Sequence, residues 1–370
     1  MSMSQPDSVS GPLLAHLRAA IDAAGGWLTF DRFMALALYT PGLGYYANDR
    51  RKFGLMPASG SDFVTAPELS PLFGRALATQ VAEALRGSGT DEVFEFGAGS
   101  GALAEQLIEG LDAAGCGLRR YTIIDLSGTL RERQAERLAR FGERVQWASA
   151  WPSEMRGVVV ANELLDAIPV QLLHFDGAQW QERGVAWSEA GPVFEDRPST
   201  LRPPLDAPFV PGTVTEVHPQ AEAFVATLAQ HLARGAAFFI DYGFPEAEYY
   251  LPQRHGGTLM CHHLHQADPD PLSRVGEKDI TAHVNFTGIA LAGQAAGLHV
   301  VGYTSQARFL LNCGIAPLLE AADLRGRAMA QKLITEHEMG ELFKVLAFAS
   351  ADWPDFAPLG FAQGDRMHRL

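Results

Sequence analysis

The chain is poor in cysteine and has no long apolar run. Only three of its 370 residues are cysteines, and they lie far apart in the sequence. Three separated cysteines exclude a disulfide framework, and no Cys-x-x-Cys pair indicates a zinc site. Free cysteines are typical of a reducing compartment. No run approaches the roughly 20 apolar residues that a membrane-spanning helix requires.

Basic residues are also scarce, with 29 lysines and arginines against 43 acidic residues and a formal net charge of −14. Binding to nucleic acid requires a basic face for the phosphates, so we expect no nucleic-acid partner. An acidic surface suits a cationic partner such as a protein segment that carries arginine, although net charge also serves solubility. Residues Met1–Asp7 show no targeting pattern, which favours a bacterial cytoplasmic protein over a mitochondrial matrix one.

The clearest local pattern is an apolar stretch that contains an acid and ends in three alternate glycines, Val93–Gly101. A helix-type sequence follows at once, so the pattern predicts a strand, a tight turn and a helix. Glycines permit positive φ and let a ligand approach bare backbone, and the helix start offers free N–H groups. The G-x-G-x-G spacing differs from that of dinucleotide folds and of Walker loops. It is common in methyltransferases with a nucleoside-type methyl donor; an ordinary strand-to-helix turn is the alternative.

A second strand of the buried type follows the glycines by about 25 residues and ends in Asp125. In doubly wound folds an acid at this place accepts hydrogen bonds from ribose hydroxyls. The alternative is an aspartate that begins the next turn. Strands and helices continue to alternate up to Ala161, which predicts an α/β fold with a parallel sheet.

Polar residues follow the fourth and fifth predicted strands. Asn162, Glu163 and Asp166 come after the fourth strand, and Asp241 lies at the end of the fifth. Ligands of such sheets bind at the carboxyl ends of the strands, so these side chains should face the cofactor crevice. Asn162 can equally cap a helix whose first turn carries the two acids.

Four segments together carry a family resemblance: Ser61–Ser70, Glu95–Gly101, Asn162–Val170 and Asp279–Phe286. With them the chain resembles the MidA-type class I S-adenosylmethionine-dependent methyltransferases, from about residue 12 to residue 350. The resemblance implies a Rossmann-like fold with a largely parallel seven-stranded sheet, S-adenosylmethionine as cofactor and protein arginine methylation. Mitochondrial members are assembly factors of respiratory complex I and dimethylate an arginine of one subunit. The implied partner is therefore a protein that presents an arginine, and a subunit of respiratory complex I is one such protein.

The resemblance and the strand positions together predict a domain plan and a set of cofactor residues. The plan has a helical N-terminal cap with a loop over the cofactor (1–85), a methyltransferase domain (86–350) with a β-rich insertion (171–212) and a long loop (245–284), and a tail (351–370). The cofactor residues are Thr65, Pro67, Glu95, Gly97, Ala98, Gly99, Gly101, Asp125, Leu126, Asn162 and Glu163. The family often has glutamate where this chain has Asp125.

Arginine methylation depends on positioning of the guanidinium, because this group is always charged and a weak nucleophile. Carboxylates hold its planar fork through paired hydrogen bonds and aim one nitrogen at the methyl group. Glu163 and Asp166 are the first candidates for this clamp, with Glu216 and Asp241 in reserve.

The proton acceptor is predicted among the histidines. His218 and His283 are the candidates, with His283 preferred, although a lone histidine is more often structural. The dense Cys261–His265 cluster lacks the spacing of metal ligands, so we predict no metal. A small-molecule methyltransferase on the same fold and a cofactor-binding assembly protein without turnover stay open as alternatives.

Overall fold

The computed structural model describes residues 10–48, 64–125 and 128–370. Leu126 and the first residues of the Ser61–Ser70 segment lie outside the described part of the chain. The helices are α1 Ser10–Ala23, α2 Phe30–Tyr39, α3 Ala66–Leu69, α4 Leu72–Ser88, α5 Ala102–Ala113, α6 Gly128–Leu138, α7 Pro219–His231, α8 Glu246–Tyr249, α9 Phe286–Ala295, α10 Gln306–Asn312, α11 Ile315–Ala321 and α12 Leu324–Gln331. The strands are β1 Trp27–Thr29, β2 Glu92–Phe96, β3 Arg120–Ile124, β4 Val145–Ala148, β5 Met155–Asn162, β6 Gln171–Phe175, β7 Trp180–Ser188, β8 Gly191–Pro198, β9 Val214–Val217, β10 Leu232–Phe244, β11 Met260–His263, β12 Gln266–Asp268, β13 Asp279–Thr281, β14 Val284–Asn285, β15 His299–Ser305 and β16 Phe343–Ala349.

The chain divides into two compact units, each assembled from several segments. Unit 1 contains the described residues of Met1–Phe63 together with Ala167–Gln220 and Ala247–His283. Unit 2 contains Val64–Asp166, Ala221–Glu246 and Val284–Leu370, apart from the two residues that are not described. The regions 1–85, 86–350 and 351–370 that were drawn along the sequence stay predictions.

Unit 2 is built around one large sheet in the order β15-β16-β10-β5-β2-β3-β4. The strands from β10 to β4 pair in parallel, whereas β16 is antiparallel to both of its neighbours. The two-residue strand β14 pairs with the end of β10 as an eighth member. The predicted largely parallel, seven-stranded α/β sheet is therefore confirmed. Its central strands are buried and mainly apolar, as is typical of parallel strands covered by helices on both faces.

The core of unit 2 lies between this sheet and its helices. Leu77 of α4 and Ile108 of α5 are fully buried with Val160 and Phe238 of the sheet. The last residues of the chain join this core, since Phe361 is buried against Phe309 with ring centroids 5.4 Å apart. Packing of this kind fixes the ends of β2, β3, β5 and β10, which carry the predicted site residues.

Unit 1 combines the N-terminal helices with antiparallel sheets. The larger sheet has the order β1-β7-β6-β9, with β8 paired to β7. Buried residues of α1 and α2 pack in the same core as residues of β6 and β7, including Leu17, Phe33, Leu172 and Val185. The helical character of the N-terminal segment and the β-rich character of the insertion at 171–212 agree with the sequence.

The predicted long loop at 245–284 is wrong, because it contains a small antiparallel sheet in the order β12-β11-β13. Strands β11 and β12 are joined by Leu264 and His265, which both have positive φ, 49° and 60°. Positive φ at both central residues is the two-residue hairpin turn that usually announces itself by Asn-Gly or Asp-Gly. Leucine and histidine give no such pattern, so the hairpin could not be found in the sequence. Among the described residues, no helix has the length and apolar character needed to span a membrane.

Candidate cofactor and active site

The glycine turn follows β2 and begins α5. Gly97, Gly99 and Gly101 have φ values of 68°, 54° and 80°, a region that only glycine enters at little cost. Gly101 is the N-cap of α5, so the first N–H groups of that helix lie at the turn. A Cβ atom on Gly97 would lie 3.0 Å from Cδ1 of Leu164. The turn is therefore a bare-backbone cradle at a helix N-terminus, the arrangement that the sequence predicted.

Glu95 lies on β2 just before the glycine turn, and its side chain is buried against the neighbouring strand β3. Its carboxylate accepts a hydrogen bond of 2.7 Å from the hydroxyl of Tyr121 on β3, and both side chains are buried. Burial raises the pKa of Glu95 to about 8; the Tyr121 hydrogen bond opposes this rise, and the charge of Asp125 adds to it. Glu95 consequently holds a proton near neutral pH, which no sequence pattern indicated.

Asp125 lies directly after β3, as predicted, and is joined to the glycine turn by Gln134 of α6. The Nε2 atom of Gln134 donates to Asp125 Oδ2 at 3.0 Å and to the Gly99 carbonyl oxygen at 2.9 Å. Its Oε1 atom accepts from the indole N–H of Trp147 on β4 at 2.9 Å. One buried amide thus links the turns or ends of three parallel strands.

The segment before α4 is bonded to the glycine turn. Glu68 of α3 accepts a short hydrogen bond from the hydroxyl of Ser100. Arg137 of α6 donates to Glu68 at 3.1 Å and to Ser100 Oγ at 2.7 Å. The three side chains are only partly exposed. They form a polar clasp between α3, the turn and α6.

The predicted cofactor residues Thr65 and Pro67 lie in this clasped segment. Thr65 is the N-cap of α3, and the Pro67 carbonyl accepts from Nε2 of Gln106 on α5 at 2.8 Å. The N–H of Ala66 points at Oε1 of Glu163 across 3.4 Å. The described part of the upstream segment is therefore placed beside both the glycine turn and the end of β5. Its predicted role as a cover over the cofactor stays a prediction.

Glu163 is strained. It has a positive φ of 52° directly after β5, a conformation that costs of the order of 1–3 kcal/mol for a residue other than glycine. Its carboxylate accepts from Nδ2 of Asn162 at 3.0 Å, and its own N–H donates to the carbonyl of Ile240 at 2.9 Å. The Oδ1 atom of Asn162 is buried without a hydrogen-bond partner among the described residues. Strain and an unsatisfied acceptor in neighbouring residues are typical of functional sites.

Asp241 holds that turn in place. Its Oδ2 atom accepts from the backbone N–H groups of Leu164, Leu165 and Asp166 at 3.1, 2.8 and 3.3 Å. Its Oδ1 atom accepts from the N–H of Tyr242 at 2.9 Å. Burial raises the pKa of Asp241 well above its usual range, with the carboxyls of Asp166 and Glu163 adding to the rise and backbone hydrogen bonds opposing it.

These contacts make Asp241 a positioning group, and its predicted catalytic role stays a prediction. Asp166, the second candidate of the clamp, is buried and accepts a hydrogen bond of 2.5 Å from the hydroxyl of Tyr242. Three carboxyl groups, those of Glu163, Asp166 and Asp241, consequently gather where β5 and β10 end, next to the strand that carries the glycine turn.

The remaining candidates, Glu216, His218 and His283, belong to unit 1. Glu216 is fully buried and accepts hydrogen bonds from Tyr249, from Thr258 and from the Leu259 N–H, at 2.8 to 3.1 Å. Nε2 of His218 lies 3.1 Å from the Tyr249 hydroxyl.

The pKa of His218 is lowered to about 4, mainly by burial and in addition by the charge of His283. His218 is therefore neutral at physiological pH. Within the described residues, no group of three or more histidine, cysteine or acidic side chains could hold a metal ion.

The sheet order, with one antiparallel strand near its end, and the glycine turn after β2 define the class I methyltransferase fold. A family model described as "Putative S-adenosyl-L-methionine-dependent methyltransferase" matches residues 76–304. The chain belongs to this family, and its cofactor is S-adenosylmethionine.

Solved structures and curated proteins agree with this assignment. A superfamily member from Burkholderia thailandensis bound to S-adenosyl-homocysteine is 50% identical, with a TM-score of 0.95 and coverage of 100% of both chains. A native structure of a superfamily protein from the same organism is 49% identical, with a TM-score of 0.91 and the same coverage. The protein arginine methyltransferase NDUFAF7, mitochondrial, of Danio rerio is 26% identical and covers 91% of this chain and 86% of its own length. The Homo sapiens protein of that name is also 26% identical, over 91% and 83%.

The residues of unit 2 fit S-adenosylmethionine. The glycine turn presents backbone without side chains, Asn162 offers an unsatisfied acceptor, and Asp125 offers a carboxylate at the end of the neighbouring strand. Apart from Leu126, the predicted cofactor residues all belong to this unit. Their individual contacts with the cofactor stay predictions.

Several residues of the site escaped the sequence analysis. Gln134, Trp147 and Tyr121 act through contacts between neighbouring strands and α6, and nothing in their local sequence distinguishes them. The clasp of Glu68, Ser100 and Arg137 joins residues up to 69 positions apart. Ser100 and Glu68 carried a hint, because each lies within a segment that carries the family resemblance.

Proposed function

We propose that this methyltransferase transfers the methyl group to an arginine side chain of a protein. The observation that carries the proposal is the gathering of the Glu163, Asp166 and Asp241 carboxyls at the ends of β5 and β10. The carboxylates of Glu163 and Asp166 suit a cationic substrate, whereas Asp241, whose pKa is raised by burial, serves to position the turn that carries them. The net charge of −14 favours approach of a basic segment. The name of the relatives, protein arginine methyltransferase, supports the same substrate class.

Glu163 is the residue that would hold the guanidinium. Carboxylates bind its fork through two parallel hydrogen bonds, which fixes the orientation of the nitrogen that reacts. The strained backbone at φ 52° aims this side chain, and the three backbone N–H groups that donate to Asp241 Oδ2 keep the Leu164–Asp166 turn in place. Precise placement of two reactants is the main source of rate enhancement in a displacement of this kind.

Asp166 supports the clamp from a buried position. Its carboxylate accepts from Tyr242 at 2.5 Å, so the Tyr242 hydroxyl fixes one of its oxygens. A buried carboxylate stabilises a bound cation more strongly than an exposed one, since little water screens the charge. Asp166 therefore contributes mainly electrostatic attraction, and Glu163 contributes orientation.

The cofactor would rest on the glycine turn, with Asp125 as acceptor for the ribose hydroxyls and Asn162 beside the turn of Glu163. When bound, S-adenosylmethionine supplies an electrophilic methyl group on a sulfonium centre. The clasp of Glu68, Ser100 and Arg137 holds the upstream segment against the turn and helps to keep water out.

A proton must leave the arginine nitrogen during or after transfer, and His283 is proposed as its acceptor. His218 is the weaker candidate, because it is buried, has a pKa of about 4 and pairs with Tyr249. The protein that presents the arginine is proposed from the resemblance to be a subunit of respiratory complex I.

The test is labelled methyl transfer into proteins of an extract from cells that lack the chain, followed by mass spectrometry of the products. The wild-type chain is expected to label arginine, and Glu163→Gln to lower turnover at least about tenfold, the cost of one lost charge-assisted contact. Exposed Glu132→Gln serves as the matched control and should leave turnover unchanged. Affinity for S-adenosyl-homocysteine is measured in parallel by titration calorimetry.

Each outcome decides between the candidate functions. Label on a small molecule, or on a protein residue other than arginine, would refute the arginine proposal. Cofactor binding without any transfer would point to an assembly protein without turnover. Unchanged turnover of Glu163→Gln with arginine still labelled would refute the clamp alone.

A further inference from the structure

Gln134 stands out among the buried polar side chains because it touches three separate strand ends. It is completely buried on α6, and its amide group makes three hydrogen bonds of 2.9 to 3.0 Å. Two go to the Gly99 carbonyl and the Asp125 carboxylate, and the third comes from Trp147. No other described glutamine of unit 2 joins the glycine turn to the acid that follows β3.

The orientation of this amide is fixed by its partners. The carbonyl of Gly99 and the carboxylate of Asp125 only accept, whereas the indole nitrogen of Trp147 only donates. The amide nitrogen must therefore face the first two and the oxygen must face the tryptophan. A flipped amide would oppose donor to donor and acceptor to acceptor at once. Gln134 thus sets a defined direction for Oδ2 of Asp125.

We infer that Gln134 is a positioning residue for the ribose of the cofactor, acting through Asp125 on the glycine turn. This inference rests on the proposed role of Asp125 as ribose acceptor. Ribose hydroxyls need a carboxylate whose oxygens are aimed, because a hydrogen bond weakens steeply away from linearity. Gln134 fixes one oxygen of that carboxylate and, with the same nitrogen, the backbone carbonyl in the middle of the turn. The two halves of the cofactor site consequently keep one mutual geometry.

Packing supports the same reading of α6. A Cβ atom on Gly101 would lie 3.5 Å from Cγ of Gln134, so the side chain lies against the last glycine of the turn as well. An apolar side chain of similar length would fill that space but remove the hydrogen bonds that Gln134 donates to the Gly99 carbonyl and to Asp125. The expected loss is therefore in ribose recognition more than in packing.

The experiment compares Gln134→Met, Asp125→Asn and the double variant, using S-adenosyl-homocysteine and its analogue without the ribose 2′-hydroxyl. Titration calorimetry gives the affinities, and thermal unfolding of the unliganded proteins gives their stability. Gln80→Met is the matched control, because Gln80 is equally buried on α4 and bonds to Glu83 and the Gly360 N–H. Its loss should lower stability without changing the affinity for either ligand.

We expect Gln134→Met and Asp125→Asn each to weaken binding of S-adenosyl-homocysteine about tenfold or more. The double variant should bind within about twofold of Asp125→Asn, because coupled residues are not additive. Wild type should prefer the full ribose over the deoxy analogue, and Gln134→Met should lose most of that preference. If Gln134→Met does not fold, as judged by circular dichroism, Gln134→Leu takes its place, since it removes the same donors and adds no charge.

The outcomes separate the inference from the proposal beneath it. Unchanged affinity of Asp125→Asn would refute the ribose role of Asp125 and the inference with it. Weak binding by Asp125→Asn with normal binding by Gln134→Met would refute the inference alone. Additive losses in the double variant, or a ribose preference retained in Gln134→Met, would assign Gln134 a purely structural role and equally overturn it.

Discussion

Glu95 places a buried carboxyl group on a central strand of the parallel sheet of unit 2. Burial raises the pKa of Glu95 from 4.5 to about 8, so the folded state binds its proton more tightly than the unfolded chain does. A group of this kind contributes most to stability below pH 4.5. Its contribution declines as the pH rises and is lost above about 8.

Glu95→Gln should therefore gain stability relative to wild type as the pH rises. The amide can still accept from Tyr121 and cannot ionise, so the difference in free energy of unfolding should shift in its favour by about 1 kcal/mol per pH unit between pH 5 and 8. Urea unfolding at several pH values measures this shift. Exposed Glu132→Gln is the control, and a difference independent of pH would show that Glu95 does not titrate in this range.

The strain at Glu163 gives a second prediction at the residue scale. Both Glu163→Ala and Glu163→Gly remove the carboxylate, but only glycine relieves the backbone at φ 52°. We expect the glycine variant to be the more stable of the two by about 1 kcal/mol in chemical denaturation. At exposed Glu109 of helix α5 the order should reverse, because glycine is about 1 kcal/mol worse than alanine within a helix. The same order at both sites would contradict a left-handed Glu163.

Site residues that belong to a local sequence pattern were predictable. Site residues whose role depends on contacts with distant parts of the chain were not. Alternate glycines and an acid after a buried strand carry their own geometry, so Gly97–Gly101 and Asp125 lie where the sequence placed them. Gln134 depends on three strand ends that meet only in the fold. The raised pKa of Glu95 likewise depends on the burial supplied by neighbouring strands.

At the scale of elements, the turn between β2 and α5 raises the question of whether its glycines are needed for ligand binding or only for the positive φ of the backbone. Gly97 and Gly89 both have φ 68°, but a Cβ on Gly97 would lie 3.0 Å from Leu164, whereas Gly89 has open space. Both alanine variants should pay the same backbone cost, about 1 kcal/mol.

Gly97→Ala should lose further stability through the contact with Leu164 and should weaken S-adenosyl-homocysteine binding at least about tenfold. Gly89→Ala, at the end of α4, should bind normally. Thermal unfolding and calorimetric titration of the pair provide the comparison. Equal affinities of the two variants for S-adenosyl-homocysteine would contradict binding of the ligand at the glycine turn.

Strands with a clear hydrophobic pattern in the sequence were predicted, whereas the hairpin that is defined by its turn geometry was missed. The buried strands of the large sheet and the strands of the insertion show apolar runs or alternation that survive in the sequence. The hairpin of β11 and β12 is short and polar, and its turn is made by Leu264 and His265 without glycine. The hairpin becomes part of a three-stranded sheet through the pairing of β11 with β13, which is distant in the sequence.

At the scale of the whole molecule, the largely parallel sheet was predictable, but the division into units was not. The alternation of strands and helices implied a parallel sheet, and the resemblance supplied its seven strands. Each unit, however, draws on three separated segments, such as 64–166, 221–246 and 284–370 for unit 2. Sequence order alone favours continuous regions, because contacts between distant segments leave no local trace.

This division predicts where cofactor binding protects the chain. A ligand that binds only the folded state stabilises it by about 2.7 kcal/mol at 100 times its dissociation constant. Amides of β2 and α5 that exchange through unfolding of unit 2 should gain protection of that size with S-adenosyl-homocysteine, as measured by hydrogen exchange and mass spectrometry. Amides of β6 and β7 in unit 1 should gain less. Gly97→Ala should remove about half of the gain or more, because tenfold weaker binding at the same ligand concentration lowers it to about 1.4 kcal/mol. Equal protection in both units would mean that they unfold together, and protection confined to unit 1 would refute the site at the glycine turn.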